Sequence, residues 1–230
     1  MSVQQFVSER FDQLQHRFKA SVSPGDVRLT GVGRALGPIA GKRLLDLGCG
    51  KGRFARHWIS CGASVVGLDL SAGMLVQGFE FPRVKGSAVR LPFATNSFEC
   101  VVAIEVLEHI ESTLVHTFLS EANRVLVPGG CLVIVDKNAT ALDSNRPWLP
   151  AVLVKRIEER QGRWMYRAGE PFRERWFNPS KLSGMLRNNF HDVSCEYLLR
   201  PEEERHIVFR HLPAARLWTL WHGTKRGAIS

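Results

Sequence analysis

The sequence predicts an α/β fold in which a doubly wound, mostly parallel sheet is covered by helices on both faces. Three observations predict it. Short apolar runs alternate with helix-like segments from residue 43 to residue 136, and strand–helix alternation of this kind builds parallel sheets. The runs are apolar almost throughout, as strands buried on both faces are. Gly48, Gly50 and Gly52 follow directly on the first run, where a strand turns sharply into a helix.

The totals bound the possibilities. A chain of 230 residues, 44% hydrophobic and 23% charged, fits one α/β domain with an insertion. No apolar run approaches the roughly 18 residues of a membrane span. "MSVQQFVSERFDQLQHRFKA" lacks the apolar core of a signal peptide. Its Val7, Phe11, Leu14 and Phe18 form a helical stripe that predicts packing on the domain. The five cysteines show no CxxC spacing, which fits small buried residues in a reducing, cytoplasmic setting better than disulfides or zinc. A formal net charge of +9 favours anionic partners.

The elements follow in order. "RLLDL" (43–47) is a buried strand and "KGRFARHWISCG" a helix; "SVVGLDL" (64–70) is a second strand, after which Ser71 can cap a helix. A weak strand near 82–86 leads into a loop. "CVVAIEV" (100–106) is the fourth strand, "ESTLVHTFLSEANRVL" a helix stopped by "VPGG", and "CLVIVD" (131–136) the fifth strand. Residues 137–181 then carry ten Lys or Arg against five Asp or Glu, with Trp148, Trp164, Tyr166, Phe172, Trp176 and Phe177 interspersed. "NPSKLSGMLRNNF" reads as a short helix, "VSCEYLL" and "HIVFRHL" as late strands, and "PAARLWTLWHG" as a closing helix with Leu217, Leu220 and Trp221 on one face.

The glycine turn decides the chemistry. No Lys-Ser or Lys-Thr follows its last glycine, so it is not a triphosphate-binding P-loop. Asp69, seventeen residues after Gly52, ends the second strand where a ribose-binding carboxylate belongs in a nucleotide-binding unit. Asp46, ahead of the first glycine, would repel a pyrophosphate but suits a cofactor bearing an amine and a sulfonium. "LLDLGCGKG", "VVGLDLS", "VRLPFATNSFECVVAIEVLEHI" and "RVLVPGGCLVIV" resemble, in order and spacing, the signature segments of class I S-adenosylmethionine-dependent methyltransferases.

That resemblance implies a Rossmann-like, doubly wound, mostly parallel seven-stranded sheet with an insertion after the fifth strand. Residues 1–230 would form a single domain, with 1–40 as an N-terminal helical cap and 137–181 as a basic, aromatic lid over the substrate. It implies S-adenosyl-L-methionine as cofactor. Asp46, Gly48, Cys49, Gly50 and Gly52 would hold the methionine portion, Asp69 the ribose hydroxyls, and Leu70 the adenine. Ser87 and Ala88 would lie at the adenine amine, although Ser87 stands where the family usually has an acid. Ile104 and Glu105 would flank the transferable methyl.

"EVLEH" supplies Glu105, Glu108 and His109. A helix beginning near Glu105 would bring all three to one face. The triplet resembles the metal-ligand motif of ubiquinone-pathway O-methyltransferases and of small-RNA 2′-O-methyltransferases, both of which add a later His. Pro171 stands about where that His belongs, so a divalent metal is not favoured, and Glu105 and His109 are the expected catalytic groups. The expected acceptor is a small aromatic or quinone-like molecule held under Trp164 and Trp176, with peripheral membrane contact open. RNA methylation is the rival reading, and a cofactor-binding regulator without turnover a third.

Overall fold

The computed structural model describes residues 2–76 and 81–227. Its centre is a seven-stranded sheet, built of β1 (Arg43–Leu47), β2 (Ser64–Asp69), β3 (Arg83–Lys85), β4 (Phe98–Ile104), β5 (Leu126–Lys137), β6 (Phe190–Leu198) and β7 (Trp218–Lys225). The order is β3-β2-β1-β4-β5-β7-β6, and β7 runs antiparallel to both its neighbours. The remaining pairings are parallel.

Alternate residues of the central strands feed two separate cores, which is why those strands read as unbroken apolar runs. Leu45, Leu47, Val101, Ala103, Leu132 and Ile134 face one side. There they meet Phe118 and Leu119 of α5 (Val115–Val125) and Leu182 of α7 (Pro179–Leu186). Leu44, Val102, Val133 and Val135 face the other, against Val32 and Leu36 of α2 (Val27–Leu36) and Trp58 of α3 (Ala55–Ser60). Side-chain caps start several helices: Asp26 accepts from the Arg28 N–H, Ser71 from that of Met74 at α4 (Ala72–Leu75), and Asn178 from that of Lys181.

The C-terminal third departs from the sequence expectation twice. "PAARLWTLWHG" is not a helix: one 3₁₀ turn, Pro213–Ala215, leads into β7. Trp218 and Leu220 point into one core and Trp221 into the other, the period-2 signature of a strand buried on both faces. "HIVFRHL" is not a strand but holds α8 (Ile207–His211). A strand would place Ile207 and Phe209 on one face, whereas here Phe209 is fully buried and Ile207 exposed. The other late strand, β6, forms as expected.

The N-terminal residues form α1 (Val3–Leu14), a 3₁₀ turn at Gln15–Arg17, and then α2. Phe18 lies just past the helical stretch in extended backbone, so the expected stripe ends one turn early. The 137–181 insertion contains α6 (Ala151–Arg160) and is tied to the domain by a buried polar network described below.

Candidate active site

One large cavity, about 1150 Å³ including its open mouth, lies over the carboxyl ends of β1, β2 and β4. In open parallel sheets this edge, where the strand order reverses beside the first strand, is where ligands bind. Its floor is the turn after β1. Gly48 has φ +64°, and a Cβ there would come within 2.5 Å of Val106 Cγ2. Gly50 has φ +51°, and its N–H donates to Asp69 Oδ2 at 2.8 Å. Both positions exclude side chains, so bare backbone faces the cavity.

Asp69 ends β2 and lines this floor. Its Oδ1 accepts from the Ser71 N–H at 2.9 Å, so each carboxylate oxygen takes one backbone donor and keeps acceptor capacity. Burial raises its pKa, and the Ser71 and Gly50 donors oppose that rise. Asp46, at the end of β1, is buried behind the turn, and its Oδ2 has no hydrogen-bond partner. Burial, with Asp69 nearby, pushes its pKa up to about 7, while Arg53 pulls the other way. A buried acceptor left in this state is matched to a donor or cation that the chain itself does not supply.

Of the remaining expected cofactor residues, Cys49, Leu70, Ser87, Ala88 and Ile104 line the cavity, whereas Asp46 and Gly52 do not. Gly52 instead accepts from the Arg56 N–H at the start of α3. The Ser87 carbonyl accepts from the Arg90 N–H in a tight turn. Burial is the main reason the Cys49 thiol has a strongly raised pKa.

The "EVLEH" triplet does not share a helix face. Glu105 follows β4 with φ +59°, a left-handed conformation that breaks the chain direction before a single 3₁₀ turn at Leu107–His109. The three side chains therefore diverge. Glu105 Oε2 accepts from Arg53 Nη2 at 2.8 Å and also binds Arg28 Nη1. Burial opposes its ionisation, but Lys137, Arg28 and Arg53 outweigh that and lower its pKa. Glu108 is buried beneath the wall, with Oε1 2.7 Å from Lys137 Nζ. His109 lines the cavity with Nδ1 3.1 Å from the Tyr166 hydroxyl and Nε2 3.4 Å from Glu108 Oε1. Among the described residues, no group of three His, Cys, Asp or Glu side chains is arranged to hold a metal ion.

The roof of the cavity comes from the N-terminus. Val3, Val7, Phe11, Phe18 and Lys19 line it, and no residue of the 137–181 insertion does. The 137–181 segment, expected as a substrate lid, thus lines none of this cavity, and α1 with Phe18 and Lys19 covers it instead. That helix is held down by Asp12, which accepts from Ser71 Oγ and the Gly73 N–H, and by Ser8 Oγ, which donates to the Leu70 carbonyl. The insertion braces α1 from outside through the Arg10–Glu170 ion pair and the Tyr166 ring, which packs near Phe6. Trp164 and Trp176 donate their indole N–H groups to Glu174 at 2.9 and 2.6 Å. Despite burial, Lys137 and His109 hold the Glu174 carboxyl down at about 2. The sequence missed Arg28 and Arg53, because nothing local distinguishes them from other surface arginines.

Residues 45–134 match the family described as "Methyltransferase domain". That segment of this chain is similar to the methyltransferase domain. Over 156 residues it is 33% identical to the demethylmenaquinone methyltransferase of Beutenbergia cavernae, covering 63% of this chain and 60% of that protein. Over 115 residues it is 33% identical to the ubiquinone biosynthesis O-methyltransferase of Azorhizobium caulinodans, covering 46% and 45%. The chain thus spans less than two thirds of either relative. Phosphoethanolamine N-methyltransferase 2 of Haemonchus contortus, solved with S-adenosyl-L-methionine, superposes with a TM-score of 0.67 at 20% identity. That match covers 98% of this chain and 60% of the other, and it shows the methyltransferase fold. The floor of the cavity described above lies within the matched residues, with α1 over it.

Proposed function

We propose that the protein transfers a methyl group from S-adenosyl-L-methionine to a small, largely apolar acceptor of aromatic or quinone-like character. The observation that carries the reading is the pairing of Asp69 with the Gly50 N–H beside the orphaned Asp46 oxygen. These groups fit the cofactor. Asp69 has acceptor capacity left for two ribose hydroxyls, the Gly48–Gly50 backbone leaves room for the methionine chain, and Asp46 suits its ammonium. Arg53, a cavity-lining cation, suits its carboxylate. The bound cofactor supplies an electrophilic methyl on a sulfonium, itself a good leaving group.

What remains for the chain is alignment, which can contribute about 7–11 kcal/mol to a bimolecular reaction. Phe11, Phe18, Ile110 and Leu114 give the acceptor end apolar and aromatic walls. Glu105, engaged by Arg28 and Arg53, acts by fixing Arg53. His109, with both ring nitrogens facing protein partners, orients the acceptor at the wall and takes its proton only after leaving Tyr166 or Glu108. The quinone-pathway names of the two relatives support an acceptor of this class.

The test is to incubate the protein with methyl-labelled donor and fractionated cell extract. Label in an aromatic small-molecule fraction is the expected result. Label in RNA alone would overturn the acceptor class, and binding of the donor without any transfer would overturn the activity.

A further inference from the structure

Helix α6 buries two charged side chains beside Ala151 and Val154 and leaves two aliphatic ones outside. Its buried face holds Lys155 and Glu159, 6% and 1% exposed, while Leu153 and Ile157 stand 46% and 43% exposed on the outside. The inner face is satisfied: Lys155 Nζ donates to Glu159 Oε1 and to the Glu174 carbonyl, each at 2.7 Å, and Glu159 also binds Arg173. The outer face reads Leu153, Arg156, Ile157, Arg160, a spacing that keeps all four together along the helix. Arg156 and Arg160 are exposed and have no ion-pair partner among the described residues. Trp148, two residues before the Pro150 N-cap, is 73% exposed.

We infer that this face docks the protein on an anionic lipid surface. Aliphatic side chains interleaved with arginines, next to an exposed tryptophan, are suited to a boundary that is apolar below and negatively charged above. Arginine stems can lie along the acyl boundary while their heads meet phosphates. The charge pattern disfavours a second copy of the chain as occupant: an isologous contact would set Arg156 and Arg160 against the same arginines, with no carboxylate on that outer row to answer them. The inference is independent of the proposed chemistry, because none of these residues lines the cavity.

The test is co-sedimentation of the full chain with phosphatidylcholine vesicles, with and without phosphatidylglycerol, at low and moderate salt. Binding is expected only to vesicles containing phosphatidylglycerol, and it should weaken as salt rises. Leu153→Gln/Ile157→Gln and Arg156→Glu/Arg160→Glu should each reduce it by at least about tenfold. Melting curves and donor affinity should match the parent protein, showing that both variants are folded. Failure of the parent to bind, undiminished binding by the double variants, or equal binding to neutral vesicles would overturn the inference. So would a concentration-dependent dimer abolished by Leu153→Gln/Ile157→Gln.

Discussion

The Tyr166 hydroxyl lies 3.1 Å from Nδ1 of His109, a contact across 57 residues that ties the basic insertion to the cavity wall. Tyr166 is fully buried against Phe172, and burial, with Glu174 and Glu108 nearby, raises the phenol's pKa so that it stays a neutral hydrogen-bonding group. Phe11 of α1 sits edge-on to the same imidazole, 4.9 Å between ring centres. Through Tyr166 the insertion thus touches a side chain that lines the cavity.

Tyr166→Phe removes that hydrogen bond and little else. It should cost about 0.5–1.5 kcal/mol of stability. With His109 freed to rotate, acceptor KM should rise while donor affinity stays within about twofold. Tyr166→Ala should instead cost about 3–5 kcal/mol, because a large aromatic leaves a cavity. Urea melts and calorimetry on both variants check this; equal effects would make Tyr166 packing only.

Asp69 offers a sharper test of the proposed cofactor binding. A hydrogen bond to a charged group contributes about 1.5–3 kcal/mol. Asp69→Ala should therefore weaken S-adenosylmethionine binding by about tenfold or more. The fold should survive, since the β2 backbone pairing does not need this side chain. Unchanged affinity in a folded variant would remove Asp69 from the site.

Much of the cavity floor was legible in the sequence, and the reasons are physical. A turn that must expose bare backbone has to use glycine at Gly48 and Gly50, and the acid that answers the Gly50 N–H has to end the next strand. The central strands are readable because burial on both faces leaves no polar alternation. The roof was half legible: Val7 and Phe11 announce an amphipathic helix, but no local signal says which part of the domain it covers. Glu105 was misread because "EVLEH" favours a helix locally, whereas the end of β4 and the two arginines hold it at φ +59°. Closely spaced Trp218, Leu220 and Trp221 fit either period, and only the gap between β5 and β6 selects the strand.

Asp46 predicts a pH dependence with a definite sign. Its pKa rises on folding from 3.8 to about 7, so between those values the folded chain binds more protons than the unfolded one. Its contribution to stability is therefore fullest below pH 3.8 and declines as pH rises through about 7. Relative to the parent, Asp46→Asn should gain stability across that window, by up to about 4 kcal/mol at about 1.4 kcal/mol per pKa unit. Urea titrations of both proteins at several pH values measure the difference. A cationic ligand should pull the carboxyl back down, so donor binding near pH 6 should release protons, seen as a buffer-dependent enthalpy. A pH-independent difference would mean Asp46 is already ionised in the free protein.

If α1 covers the acceptor, its aromatic side chains should matter more than those of the insertion. Phe11 lines the cavity, whereas Trp164 and Trp176 spend their indole N–H groups on Glu174 outside it. Phe11→Ala should therefore raise acceptor KM by about tenfold, in keeping with the loss of roughly 1.5–3 kcal/mol of buried aromatic surface. Trp176→Ala should lower the melting temperature by removing one of the donors to the buried Glu174 carboxylate, which keeps Lys137 and Trp164, and leave acceptor KM nearly unchanged. The reverse ranking would return the lid to the 137–181 insertion. Running the assays at two salt concentrations adds a second discrimination. A small apolar acceptor gives a nearly flat salt response, whereas a nucleic-acid acceptor loses affinity linearly in log salt as phosphate contacts are screened. A steep slope with Phe11→Ala harmless would sink both the α1 roof and the small-molecule acceptor together.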